Sequence, residues 1–138
     1  MLIFQSDISE MLISHAEAEY PRECCGILLG ECMGGRKTVS KVIQTENTAG
    51  GSAHFRHFLI DPLAVAKAER GPLEILGFYH SHPDCEAIPS KEDILYMIEN
   101  YSYPIISVCD GKCSDIRSYE RISQTSDEIK EETLIKEK

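Results

Sequence analysis

Hydrophobic and polar positions change period several times along this chain, and each change marks an element. Leu2-Ile3-Phe4 opens a short apolar run and predicts a strand over residues 1–5. Over residues 7–20 the period becomes helical. Ile8, Met11, Leu12 and His15 fall on one face there, and Pro21 follows the end. Cys24-Cys25-Gly26-Ile27-Leu28-Leu29-Gly30 is apolar and bounded by turn formers, which predicts a buried strand. Gly34-Gly35 predicts a turn, and residues 37–44 the returning strand. A polar loop over 46–54 leads to a strand predicted at 55–60. Asp61-Pro62 then starts a helix, with Asp61 as N-cap and Pro62 at the first helical position, and the helix runs to Arg70-Gly71. Residues 73–79 predict a second buried strand and residues 90–100 a helix. Residues 104–109 and 114–121 predict a hairpin around Asp110-Gly111.

Alternating helices and strands imply an α/β fold, a single-domain mixed sheet flanked by helices. That domain spans residues 1–122. Residues 123–138 change character, with five acidic and three basic residues and few apolar ones, and predict a charged tail that is helical or frayed. A length of 138 residues with 42% hydrophobic content is enough for one core and excludes a wholly disordered chain. The net charge of −9 excludes the basic footprint of a nucleic-acid binder. No apolar run approaches the ~18 residues of a membrane helix, and the N-terminus lacks the pattern of an export signal. The expectation is a soluble, cytoplasmic protein with no membrane partner. Its six cysteines, at 24, 25, 32, 85, 109 and 113, are then expected to be reduced.

The chemistry concentrates in Gly77-Phe78-Tyr79-His80-Ser81-His82-Pro83 and Pro89-Ser90-Lys91-Glu92-Asp93. His80 and His82 are two apart at the end of a predicted strand, so both imidazoles project to one face and can chelate one ion. Asp93 lies eleven residues past His82 and just inside the next helix, where a loop can fold it back. Two imidazoles and a carboxylate suit a catalytic zinc that keeps a fourth position for water. Zinc can lower the pKa of that water towards ~7, and a carboxylate that is not a ligand is then needed to move the proton. Spacing does not rank the 23 acidic residues for that task. Ser90-x-x-Asp93 also reads as a capping box, a role compatible with metal binding by Asp93.

His80-Ser81-His82-Pro83 followed by Pro89-Ser90 and Asp93 resembles the signature of the JAMM (MPN-plus) metalloproteases. Glu23-Cys24-Cys25-Gly26-Ile27-Leu28-Leu29-Gly30 is similar to the family's first motif, and Phe58-Leu59-Ile60-Asp61-Pro62 to a further segment. The resemblance covers roughly residues 5 to 110. It implies one Zn2+ held by His80, His82 and Asp93, with Glu23 moving the proton and Ser90 donating to the oxyanion. It also implies a cytidine-deaminase-like sheet and hydrolysis of a peptide or isopeptide bond, often after the C-terminal Gly-Gly of a ubiquitin-like protein. Little room for an inserted ubiquitin-gripping loop follows Asp93, as in the compact prokaryotic branch. There the implied partner is a ubiquitin-like or sulfur-carrier protein.

Two other readings stand beside this one. A non-catalytic scaffold of the same fold would bind a ubiquitin-like partner without needing the ligands. A zinc deaminase would need a Cys-x-x-Cys pair, which is absent. Ser90 could be a cap alone, and Glu23 a solvated charge. Cys24 and Cys25 read as small buried hydrophobes rather than nucleophiles. Cys85 reads as a surface thiol or as one that approaches the metal. Cys109 and Cys113 read as chance neighbours of the hairpin. His54 and His57 read as solvated loop residues that could line a groove.

Overall fold

The computed structural model describes residues 1–47 and 60–137. Among the described residues, eight strands and three helices follow in the order β1 (Leu2–Phe4), α1 (Ile8–Glu19), β2 (Cys25–Met33), β3 (Arg36–Thr45), α2 (Pro62–Glu69), β4 (Glu74–Pro83), α3 (Lys91–Tyr96), β5 (Tyr103–Cys109), β6 (Lys112–Arg121), β7 (Ile129–Glu132) and β8 (Leu134–Lys136). They build one mixed sheet in the order β7-β6-β5-β4-β2-β3-β1-β8. The α/β expectation holds.

The apolar runs of the centre follow from burial on both faces. On β2, Leu28 joins Phe4, Leu12, Val39, Tyr79 and Ile106 in the core against α1. Its neighbours Ile27 and Leu29 turn the other way and pack with Ala68 of α2. A third cluster, Ala87, Met97, Tyr103, Ile105 and Tyr119, seats the region of α3. On α1 the buried face is Ile8, Leu12, His15 and Ala16. Met11, expected there, is 47% exposed, because the buried stripe follows i, i+4, i+7, i+8 and Met11 lies beside it. His15 is satisfied by the Tyr79 hydroxyl at 2.8 Å.

Turn chemistry matches the local sequence. Gly34 and Gly35 both take positive φ between β2 and β3, and Asp110-Gly111 does the same between β5 and β6. The Asp61 side chain accepts from Leu63 N at 3.0 Å, with Pro62 opening α2. Gly77 lets β4 approach Ser102 closely, where a Cβ would overlap the Ser102 backbone. The strand expected over 55–60 lies outside the described residues apart from Ile60, which bridges antiparallel to Asn47.

Two further expectations need correction. The helix predicted over 90–100 stops at Tyr96, and Met97 is already extended. Arg121 accounts for the stop. Its Nη1 donates to the carbonyls of Ile94 and Met97 at 2.9 and 3.1 Å, satisfying oxygens a longer helix would have bonded internally. The tail is not helical. β7 pairs antiparallel with β6, and β8 pairs parallel with β1. β7 and β8 sit at opposite ends of the sheet order with only Thr133 between them in sequence, so the sheet must curl until its two edges meet at the chain's end. Lys37 of β3 spans the same seam, donating to Ser102 at 2.9 Å and pairing with Glu120 of β6 at 3.3 Å. Unpaired backbone groups on two open edges outweigh the weak helical preference of a charged segment. No helix among the described residues is long and apolar enough to cross a membrane.

Candidate metal centre

The end of β4 carries His80 and His82 on one face, their ring centroids 4.9 Å apart. Pairing with β2 on one side (Cys25 opposite His80) and with β5 on the other (His80 opposite Ile105, His82 opposite Ser107) holds this strand. The two Nε2 atoms lie 3.0 Å apart. Asp93 Oδ2 comes within 3.1 Å of the first and 3.0 Å of the second. Three candidate ligand atoms, two from residues two apart and the third from a residue eleven further along, thus form a nearly equilateral triangle.

The start of α3 explains how Asp93 arrives. Ser90 caps the helix, its Oγ accepting from Asp93 N at 3.0 Å, while Asp93 Oδ2 accepts from Ser90 N at 2.9 Å. The capping box is therefore complete. The oxygen that closes the box is the same one that faces the imidazoles. His82 is oriented from behind: its Nδ1 lies 2.9 Å from the Glu86 carbonyl. That oxygen only accepts, so Nδ1 carries the proton and donates.

Glu23, just before β2, is 4% exposed. It offers a carboxylate oxygen within 4.8 Å of nitrogens on both histidines. Its Oε2 is buried with no hydrogen-bond partner among the described residues. Burial pushes its pKa up to about 8; the Asp93 and Glu92 charges push the same way and His82 pulls against them. Burial also lowers the His80 imidazole, partly offset by its bond to Asp93. For His82 the loss of solvent is outweighed by the Asp93 and Glu86 bonds, and its pKa rises. Burial pushes the Asp93 carboxyl up, but hydrogen bonds from both imidazoles overcome it and hold it well below the usual carboxylate range.

This donor set fits a divalent cation. Three ligand atoms crowd within 3.1 Å of one another, and a buried carboxylate oxygen faces them without a donor. Two imidazoles and a carboxylate, with no sulfur, match zinc's preference for nitrogen and oxygen ligands at an open site.

All five residues singled out in the sequence, Glu23, His80, His82, Ser90 and Asp93, gather here. The cysteines do not. Cys24 and Cys25 are buried, and burial pushes their thiols up to about 12 and about 11, which removes them as nucleophiles. Cys85 is an exposed thiol in a neighbouring groove with Cys109, and none of the six cysteines is in a disulfide among the described residues. His54 and His57 lie outside the described residues. Three supports escaped sequence reasoning: the Glu86 carbonyl, Ser81 and Asn47. Each acts through a hydrogen bond to or from the backbone, which has no periodic signature in a sequence.

A curled mixed sheet around α1, with two imidazoles and a carboxylate gathered at the end of its central strand, defines a JAB/MPN-type α/β fold. Residues 5–122 match the family described as prokaryotic homologs of the JAB domain, and the chain belongs to that family. It is 28% identical over 121 residues to the CysO-cysteine peptidase of Mycobacterium tuberculosis, covering 86% of this chain and 82% of the relative. It is 38% identical over 85 residues to a probable TtuB-protein conjugate cleaving protease of Thermus thermophilus, covering 59% of this chain and 53% of the relative. A desampylase of Haloferax volcanii is 29% identical over 100 residues, covering 67% and 69%. Among solved structures, protein DSY2949 from Desulfitobacterium hafniense superposes with a TM-score of 0.81 at 30% identity, over 99% of this chain and 93% of that one. The JAB1/MPN domain protein AF2198 from Archaeoglobus fulgidus shares the fold at a TM-score of 0.62 and 17% identity, over 100% and 98%.

Proposed function

We propose that this chain is a zinc-dependent metallopeptidase. Its reaction is hydrolysis of a peptide or isopeptide bond after the C-terminal Gly-Gly of a ubiquitin-like or sulfur-carrier protein. The observation that carries the reading is the convergence of His80 Nε2, His82 Nε2 and Asp93 Oδ2 within 3.1 Å, faced by the buried Glu23. Family relatives named as peptidases or proteases of carrier-protein conjugates support the substrate class. A scaffold that only bound such a partner would have no use for this set.

His80, His82 and Asp93 would hold the ion. When bound, zinc supplies an electrophile that polarises a carbonyl and lowers the pKa of water. The His82 tautomer, set by the Glu86 carbonyl, presents an Nε2 lone pair to the site. Glu23 is the proton carrier. Burial raises the proton affinity of this carboxylate, which suits it to take a proton and return it to the leaving amine. Ser90 accepts the Asp93 N–H through a lone pair, which leaves its own hydroxyl hydrogen to stabilise the developing oxyanion. A Gly-Gly tail suits a narrow approach because it has no Cβ to exclude it.

The test is a panel of carrier-protein conjugates and linear Gly-Gly fusions, incubated with and without chelator and read by mass spectrometry. Cleavage after Gly-Gly that stops with chelator and returns with zinc is expected. A panel left intact by zinc-loaded protein, or cleaved equally in chelator, would overturn the proposal.

A further inference from the structure

The peptide unit joining Glu23 to Cys24 is held at both ends by side chains. Its carbonyl oxygen accepts from Asn47 Nδ2 at 3.1 Å. Its N–H donates to Ser81 Oγ at 2.8 Å, a buried contact. An ordinary antiparallel pair at this point would exchange two backbone bonds. Ser81 N does donate to the Cys24 carbonyl at 3.1 Å. The return bond from Cys24 N goes instead to the Ser81 side chain. The chain therefore departs from the ladder one residue before β2, at the place where Glu23 must turn over the histidine face.

Ser81 stands between the two histidines and is fully buried. Strand alternation sends its side chain away from theirs, so it is no candidate ligand. Asn47 approaches from the end of β3, whose last residue Thr45 pairs with Cys25. One clamp arm is thus carried by the strand that bears His80 and His82, and the other by the strand on the opposite side of β2. Glu23 Oε2 has no hydrogen-bond partner of its own among the described residues. With no hydrogen bond to hold Oε2 among the described residues, the backbone sets its place. A carboxylate held through its peptide unit is fixed in position while both of its oxygens stay available for proton transfer.

We propose that Ser81 and Asn47 are positioning residues for Glu23, a paired clamp on the Glu23–Cys24 peptide that holds the carboxylate over the His80–His82 face. The inference rests on the proposed hydrolase reading and adds to it the means by which the proton carrier is set. Neither residue touches the reacting atoms; both act through Glu23.

The test compares Ser81→Ala, Ser81→Thr and Asn47→Ala with the wild-type chain. In zinc-free protein, amide hydrogen exchange by NMR reads the clamp directly. Exchange at Cys24 is expected to speed at least tenfold in Ser81→Ala, with Ile27 and Leu28 still protected and Ser81→Thr close to wild type. In zinc-loaded protein, a linear fusion of a ubiquitin-like carrier through Gly-Gly to a reporter peptide is the probe. Ser81→Ala and Asn47→Ala are each expected to lower kcat ten- to hundredfold, with KM within twofold and one zinc per chain retained. Ser81→Thr is expected to recover most of the rate. In a Glu23→Gln background the same substitutions are expected to change nothing further, since no carboxylate remains to be placed. Unchanged exchange at Cys24, kcat within twofold of wild type in both alanine variants, or zinc lost in parallel with rate would each overturn the clamp. Failure of the hydrolase reading looks different: the wild-type chain itself would leave the probe intact, and the exchange measurement would still decide whether the clamp exists.

Discussion

Replacing Glu23 by Gln separates what this carboxyl does for chemistry from what it costs the fold. Burial lifts its pKa from the ordinary 4.5 to about 8, so between those values the folded chain holds a proton that the unfolded chain has released. A raised carboxyl therefore contributes stability that is fully present below its unfolded pKa and is lost as pH rises through the folded value. At about 1.36 kcal/mol per pH unit across that window, the loss has a ceiling of about 5 kcal/mol, and relaxation around the site brings the realistic figure nearer to about 2 kcal/mol. Glutamine keeps the shape and cannot ionise. Urea denaturation of chelator-treated wild type and Glu23→Gln at pH 4.5 and pH 8.5 is the assay. The two variants should be nearly equal in acid, and Glu23→Gln should be the more stable by about 2 kcal/mol in base. In zinc-loaded protein the same change should lower hydrolysis by about 10²–10⁴-fold with the metal kept. Parallel stability curves from pH 4.5 to 8.5 would refute the buried-carboxyl reasoning, and wild-type hydrolysis by Glu23→Gln would refute its role as proton carrier.

Other substitutions test the frame around the site. Gly77→Ala drives a methyl into the Ser102 backbone and threatens the 3.0 and 2.9 Å bonds that Ser102 shares with Phe78 and Leu76. A loss of about 3 kcal/mol is expected in chemical denaturation, combining overpacking with two weakened bonds. Arg121→Met removes the guanidinium donor from the Ile94 and Met97 carbonyls that end α3, leaving them, among the described residues, only the Met97 N–H and the Gln124 amide. It should cost about 3 kcal/mol by denaturation and weaken zinc binding through a loosened Asp93. Deleting residues 129–138 reopens the edges of β6 and β1, and a lower melting temperature with concentration-dependent light scattering is expected.

The His80–His82–Asp93 cluster was the most legible part of the chain because its placement follows local periodicity. Strand alternation places His80 and His82 together without tertiary knowledge, and the Ser90–Asp93 box fixes where a helix begins and how its carboxylate is held. What stayed hidden depends on distant partners. Residues 129–136 carry no strong strand pattern and become strands because two sheet edges need covering. Helix α3 stops short because Arg121, 24 residues beyond Met97, takes its last carbonyls. Met11 missed the core by a small rotation of the buried stripe on α1. The hydrogen bonds of Ser81 and Asn47 to the Glu23–Cys24 peptide leave no trace in composition or period.

Zinc K-edge absorption spectroscopy of the purified, zinc-loaded chain tests the central claim most directly. It reads the ligand atoms themselves in a protein with six thiols outside any disulfide that could compete for the ion. A low-coordinate shell of nitrogen and oxygen at about 2.0–2.1 Å, with imidazole scattering and one ion per chain, is the expected spectrum. It should disappear in Asp93→Ala. A shell dominated by sulfur at about 2.3 Å, or a spectrum unchanged in Asp93→Ala, would contradict the account.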